Sequence, residues 1–128
     1  MEVAQTIGAP GYISLYTALI IYGVNFQLTS DIHIMTNSSR KINIGYNIIL
    51  HKIKDNILLN SKGIILKPNY NIASKERAIC DTLYLYPNTY FDNLNNVDWD
   101  SLIDIAIIYE NKRLVKQINE LKNYANKK

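Results

Sequence analysis

The hydrophobic pattern of this chain changes period twice. Leu15, Ala18, Leu19 and Tyr22 fall at i, i+3, i+4 and i+7, so residues 12–24 read as a helix with one apolar stripe. Ser14 is its expected N-cap, and Gly23 supplies the left-handed residue that ends it. Pro10-Gly11 is a turn ahead of the cap. From residue 31 the period falls to two. Residues 31–36 set Ile32 and Ile34 against His33 and Met35, and after the turn residues Asn37-Ser38-Ser39 the alternation resumes over 41–45 through Ile42 and Ile44. Residues 47–54 place Ile49, His51 and Ile53 on one face and Ile48, Leu50, Lys52 and Lys54 on the other. A shorter apolar run over 63–67 is closed by Pro68-Asn69, and 70–73 adds a brief extended piece.

Past Ala73 the period returns to about 3.6. Ser74 is positioned to cap a helix reaching Tyr86, with Ala78, Ile79 and Leu83 as its apolar positions and Pro87-Asn88 as its stop. Asp98 caps a third helix carrying Leu102, Ile105, Ala106, Ile108 and Tyr109. Asn111 opens a fourth, striped by Leu114, Val115, Ile118, Leu121 and Ala125; the short link predicts an antiparallel hairpin of the two. Strands joined by short turns predict an antiparallel or mixed sheet rather than βαβ winding. The expected architecture is α+β: an N-terminal helix, a small sheet of three to five strands, then three helices, all in one domain over residues 1–128.

Composition narrows the chemistry. With 128 residues, 48% hydrophobic and 20% charged, the chain is long enough and apolar enough to bury a core without staples. One cysteine, Cys80, excludes an intrachain disulfide, and one cysteine with two histidines cannot complete a Cys/His structural zinc site. Cys80 reads as a small buried hydrophobe on its helix. No apolar run approaches the roughly 20 residues of a membrane span. The first ten residues carry Glu2 and no basic region, unlike a signal peptide, so a cytoplasmic protein is expected. The net charge of +3 permits contact with nucleic acid without requiring it.

Catalytic arrangements are sparse. The glutamates are Glu2, Glu76, Glu110 and Glu120, and none starts a Glu-x-Lys on a strand, as a restriction-endonuclease-like site needs. Asp98-Trp99-Asp100 has the spacing of a two-metal pair, but it follows no Gly-Ser and reads as a helix start, where acids suit the dipole. The scattered glycines form no phosphate-cradling loop. His33 and His51, both on strands, together with nearby acids are the remaining candidates for the site of a nucleic-acid-processing enzyme. Among cations, Arg40, Lys41, Lys52 and Lys54 cluster on neighbouring strands, joined further along by Lys62 and Lys67. They read either as a phosphate-binding face or as lysine-rich strands that discourage edge pairing. The last helix is basic too, through Lys112, Arg113, Lys116, Lys122, Lys127 and Lys128. Tyr12, Tyr22, Tyr86 and Tyr109 look structural; Tyr46, Tyr70 and Tyr90 lie near turns and suit an exposed protein-binding surface.

Two stretches carry a resemblance. Pro10-Gly11-Tyr12-Ile13-Ser14-Leu15-Tyr16-Thr17-Ala18-Leu19, followed by Tyr22-Gly23-Val24, and Ile72-Ala73-Ser74-Lys75-Glu76-Arg77-Ala78-Ile79-Cys80-Asp81-Thr82-Leu83-Tyr84-Leu85 resemble, in order and spacing, the AbiEi-like abortive-infection antitoxins. These are transcriptional-regulator partners in type IV toxin–antitoxin systems. The resemblance implies the C-terminal antitoxin domain, without the N-terminal winged helix-turn-helix domain of the family. It implies a non-enzymatic binding protein that needs no cofactor and takes part in phage defence. Such a protein counteracts a cognate nucleotidyltransferase toxin, with auxiliary DNA contact and transcriptional regulation. Arg40, Lys41, Lys52, Lys54 and Arg77 are the candidate DNA- or partner-binding residues. The matching positions Tyr12, Ser14, Ala18, Leu19, Gly23, Ser74, Glu76 and Asp81 read as structural, with Arg77 and Asp81 placed to pair across one helical turn. A purely structural dimerisation module remains the other alternative to a nucleic-acid-processing enzyme.

Overall fold

The computed structural model describes residues 10–26 and 30–126. The chain folds as α+β, and the described residues form five helices around a six-stranded mixed sheet. The strands are β1 (Tyr12–Ile13), β2 (Ile32–Thr36), β3 (Arg40–Asn43), β4 (Asn47–Lys52), β5 (Ile64–Leu66) and β6 (Asn71–Ala73). The helices are α1 (Leu15–Ile21), α2 (Asp55–Leu58), α3 (Lys75–Leu85), α4 (Trp99–Ala106) and α5 (Lys112–Asn126). A 3-10 turn, Ile107–Tyr109, and the left-handed Glu110 link α4 to α5.

The sheet runs β3-β4-β2-β1-β6-β5, one strand more than the three to five expected. The extra strand lies inside the segment that reads as the first helix. Tyr12 and Ile13 are extended, pairing antiparallel with β2 and parallel with β6. Ser14 continues that pairing through its N–H to the His33 carbonyl at 3.1 Å. Leu15 then adopts φ +54, and the helix starts there. A non-glycine residue in this conformation costs on the order of 1 kcal/mol or more, and complete burial of Leu15 offsets it. The other end of α1 follows expectation. Gly23 has φ +70 and donates to the Ile20 carbonyl at 3.1 Å, while Val24 donates to Leu19 at 2.8 Å, which closes the last turn.

Strand order departs from chain order in the middle of the sheet. β3 and β4 form an antiparallel hairpin around Gly45, but β4 inserts between β3 and β2 and pairs with β2 in parallel. Alternation along these strands sorts side chains into two faces. Met35 and Tyr12 turn toward the main core, which Leu15, Ala18 and Leu19 of α1, Ala78, Ile79 and Leu83 of α3, and residues of α4 and α5 complete. Ile34, Ile48 and Leu50 form a separate cluster on the opposite face with Ile13, Ile32 and Ile42.

The later helices start where capping chemistry places them. Ser74 Oγ accepts from Arg77 N–H at 3.1 Å, Asp98 Oδ1 from Ser101 N–H at 3.1 Å, and Asn111 Oδ1 from Leu114 N–H at 3.0 Å. Helix α4 is shorter than its stripe suggests, because its last turn tightens to 3-10 geometry. The single turn α2 has no counterpart in the sequence reading. Arg113 donates to the Leu83 and Tyr84 carbonyls at 3.0 and 3.2 Å, so part of the basic character of α5 serves to tie down the end of α3. Among the described residues no helix is long and apolar enough to cross a membrane.

Candidate functional site

Two polar clusters stand out, one sealed and one open. The sealed one joins the two motif stretches. Asp81, in the middle of α3, is wholly buried. Its Oδ2 accepts from the Tyr12 hydroxyl at 2.8 Å and from Ser14 Oγ at 2.7 Å, and its Oδ1 accepts from the Tyr109 hydroxyl at 2.5 Å. Arg77 lies one turn earlier on the same helix, also wholly buried, with Nε 3.7 Å from Asp81 Oδ1. All five of its N–H groups are used. Nε and Nη2 donate to the Tyr12 hydroxyl at 3.2 and 3.0 Å. The rest donate to the backbone carbonyls of Ile57, Asn60 and Lys62 at 2.7 to 3.0 Å.

Burial raises the pKa of Asp81, against the lowering effect of Arg77 and the three hydroxyl donors. Burial also pushes the Tyr12 and Tyr109 hydroxyls well above their ordinary range, with the Asp81 charge adding to it. Both tyrosines therefore stay protonated donors. Every buried side-chain polar atom among the described residues has a hydrogen-bond partner. The cluster is a closed staple of β1, the α2–β5 segment, α3 and the α4–α5 link. It has no group left over for a ligand.

This geometry corrects two expectations. Arg77 does not reach a partner or DNA, because its guanidinium is enclosed and saturated by its own chain. Ser14 occupies the N-cap position of α1 but makes no side-chain cap; its hydroxyl is spent on Asp81. Glu76 accepts from Asp98 N–H at 3.2 Å and so joins the α3 start to the α4 start. Cys80 is buried as expected, and burial raises its thiol pKa well above the ordinary value.

The open cluster lies where α1 and the end of α3 meet the sheet. His33 and His51 sit on the adjacent parallel strands β2 and β4, two register positions apart, on one face. Their rings stack with centroids 5.1 Å apart, and His33 Nδ1 is 2.9 Å from His51 Nε2. The Tyr86 hydroxyl is 3.3 Å from His51 Nδ1. Tyr16 stands edge-on to His33 at 5.5 Å and stacks on Tyr86 at 6.2 Å. Tyr86, expected to be structural, is exposed at one end of this row.

Burial lowers the pKa of both histidines. His51 falls to about 4, with the neighbouring His33 as a second cause, whereas Asp31 partly opposes the shift at His33. A histidine held neutral in the fold binds fewer protons than in the unfolded chain, so its contribution is present at neutral pH. That contribution is lost as pH falls from about 6.5 toward 4. After discounting for partial exposure, the loss from His51 is about 1–2 kcal/mol. Urea midpoints at pH 7 and 4.5 check it: His51→Gln should lose less stability over this window than the parent, and an equal loss contradicts the assignment.

The basic strand residues are divided. Arg40 and Lys52 share the face of Leu50, Lys41 points to the opposite face beside Ile49, and Lys54 lies past the strand at the start of α2. Arg40, Lys41, Lys52 and Lys54 thus do not form one face. Lys62 pairs with Asp104 at 3.0 Å across exposed surface, and Lys67 is exposed. Lys127 and Lys128 lie outside the described residues. Tyr46, Tyr70 and Tyr90 are exposed, as expected from their turns.

The sequence puts both histidines on strands and groups them as one candidate site, without showing that their rings touch. The usable signal was their shared alternation with apolar neighbours; what was missing was the parallel pairing of β2 with β4. Tyr109 was read as structural without its role as the third hydroxyl on Asp81. No protein-family model, curated protein or solved structure matches this chain.

Proposed function

We propose that this chain is an antitoxin-type binding domain of a type IV toxin–antitoxin system, counteracting a nucleotidyltransferase toxin. The observation that supports this reading is the meeting of the two motif stretches. Tyr12 and Ser14 from the first, and Arg77 and Asp81 from the second, engage side chain to side chain across more than 60 residues of chain. Residues that match an antitoxin pattern thereby have a shared physical purpose, which is to hold a scaffold rather than to process a substrate. Contact with a protein partner then falls to the outer surface, where Tyr46, Tyr70 and Tyr90 are exposed. Auxiliary DNA contact falls to the sheet face that carries both Arg40 and Lys52.

Co-expression tests the reading. A nucleotidyltransferase encoded beside this chain should arrest growth alone and lose that effect when the chain is supplied. Continued arrest in cells that accumulate the folded chain overturns the proposal.

A second reading, a nucleic-acid-processing enzyme, draws on the convergence of His33 and His51 within hydrogen-bond reach. Turnover of DNA or RNA by the purified chain, abolished in His51→Gln, would favour it over the antitoxin reading.

A further inference from the structure

We propose that His33 and His51 form a bidentate site for a late first-row divalent metal, with Cu(II) the best fit. Imidazole nitrogens bind such metals at about 2.0–2.1 Å, so two of them at a right angle on one ion lie roughly 2.9 Å apart, and roughly 3.3 Å apart at a tetrahedral angle. His33 Nδ1 and His51 Nε2 are 2.9 Å apart. The spacing matches neighbouring corners of the square or tetragonal arrangement that Cu(II) prefers, and Cu(II) heads the affinity order for nitrogen ligands.

The surroundings hold both rings for this. Adjacent parallel strands fix the two backbones, and Thr17 Oγ1 accepts from His33 N–H at 2.7 Å. The Tyr86 hydroxyl, 3.3 Å from His51 Nδ1, occupies that nitrogen and leaves Nε2 as the one that faces His33. In the metal-free pair one proton lies between His33 Nδ1 and His51 Nε2. A metal takes the place of that shared proton. The ring that carries it gives that proton to water and takes one up on its far nitrogen, so both rings stay neutral and both facing lone pairs bind the ion. Among the described residues no third His, Cys, Asp or Glu joins the pair, so the remaining coordination positions belong to solvent or an incoming ligand.

This site is independent of the antitoxin reading. The experiment is calorimetric titration of the untagged, purified chain with Cu(II), alongside electron paramagnetic resonance of the complex. The expected result is one ion per chain with two imidazole nitrogens in its coordination sphere. His33→Ala and His51→Ala should each weaken binding about tenfold or more, and Tyr86→Phe should weaken it less while leaving both nitrogens bound. Absence of binding, or a spectrum with fewer than two imidazole nitrogens, overturns the proposal. So does parent-like binding by either histidine variant. Should a histidine variant fail to fold by circular dichroism, the spectrum of the parent decides alone.

Discussion

Replacing Arg77 by methionine should cost about 3–5 kcal/mol of stability, the largest loss expected from a single substitution in this chain. The expectation follows from what the guanidinium holds. Methionine retains much of the apolar bulk but supplies no donor. Asp81 then loses its counter-charge inside the core, and the Ile57, Asn60 and Lys62 carbonyls lose their partners. Leaving a buried acceptor or charge unpaired is penalised more heavily than making the bond rewards. Urea unfolding measures the loss. The design distinguishes an uncompensated charge from lost packing: Arg77→Met combined with Asp81→Leu should be destabilised by clearly less than the sum of the single changes. A single-variant loss under about 1 kcal/mol would show that the network does not staple the fold.

Gly63→Ala should be the second most damaging change, at about 2–4 kcal/mol. Gly63 has φ +76, which alanine adopts only with strain. A Cβ there would also stand 2.8 Å from Ile105 Cδ1, 3.0 Å from Arg77 Cβ and 3.3 Å from Ser74 Oγ. The residue packs the segment before β5 against the α3 start, and its carbonyl accepts from Ser74 N–H at 2.8 Å. Gly45 provides the matched control. Its φ is +89, but nothing lies within 4 Å of the Cβ it lacks. Gly45→Ala should therefore show only the backbone cost, about 1 kcal/mol. Thermal unfolding of the two variants compares them, and equal losses would mean that close approach at Gly63 is relieved by movement of Ile105.

The role of Arg77 marks where reading along the chain ran short. Its i,i+4 relation to Asp81 was visible, and the pair does form. Its burial was not visible, because the carbonyls it binds lie in a segment whose one-turn helix α2 has no periodicity to betray it. The divided cations have a similar cause. Arg40 and Lys41 are neighbours in sequence, yet neighbours in a strand point to opposite faces. The contact between His33 and His51 was not visible for a third reason: two turns separate them, and only the insertion of β4 beside β2 brings their rings together.

From the order of residues alone came the α+β class and the three C-terminal helices with their caps at Ser74, Asp98 and Asn111. The apolar stripe and glycine stop of α1 were equally legible. Each depends on groups within about one helical turn, so local spacing carries it. Folding in three dimensions decided the rest: that Tyr12 and Ile13 are strand rather than helix, that β2 and β4 run parallel, and which partners Arg77, Asp81, His33 and His51 meet. Alternation with period two says which side chains share a face but names no neighbouring strand, and a buried polar group finds its partners across distances that no short window spans.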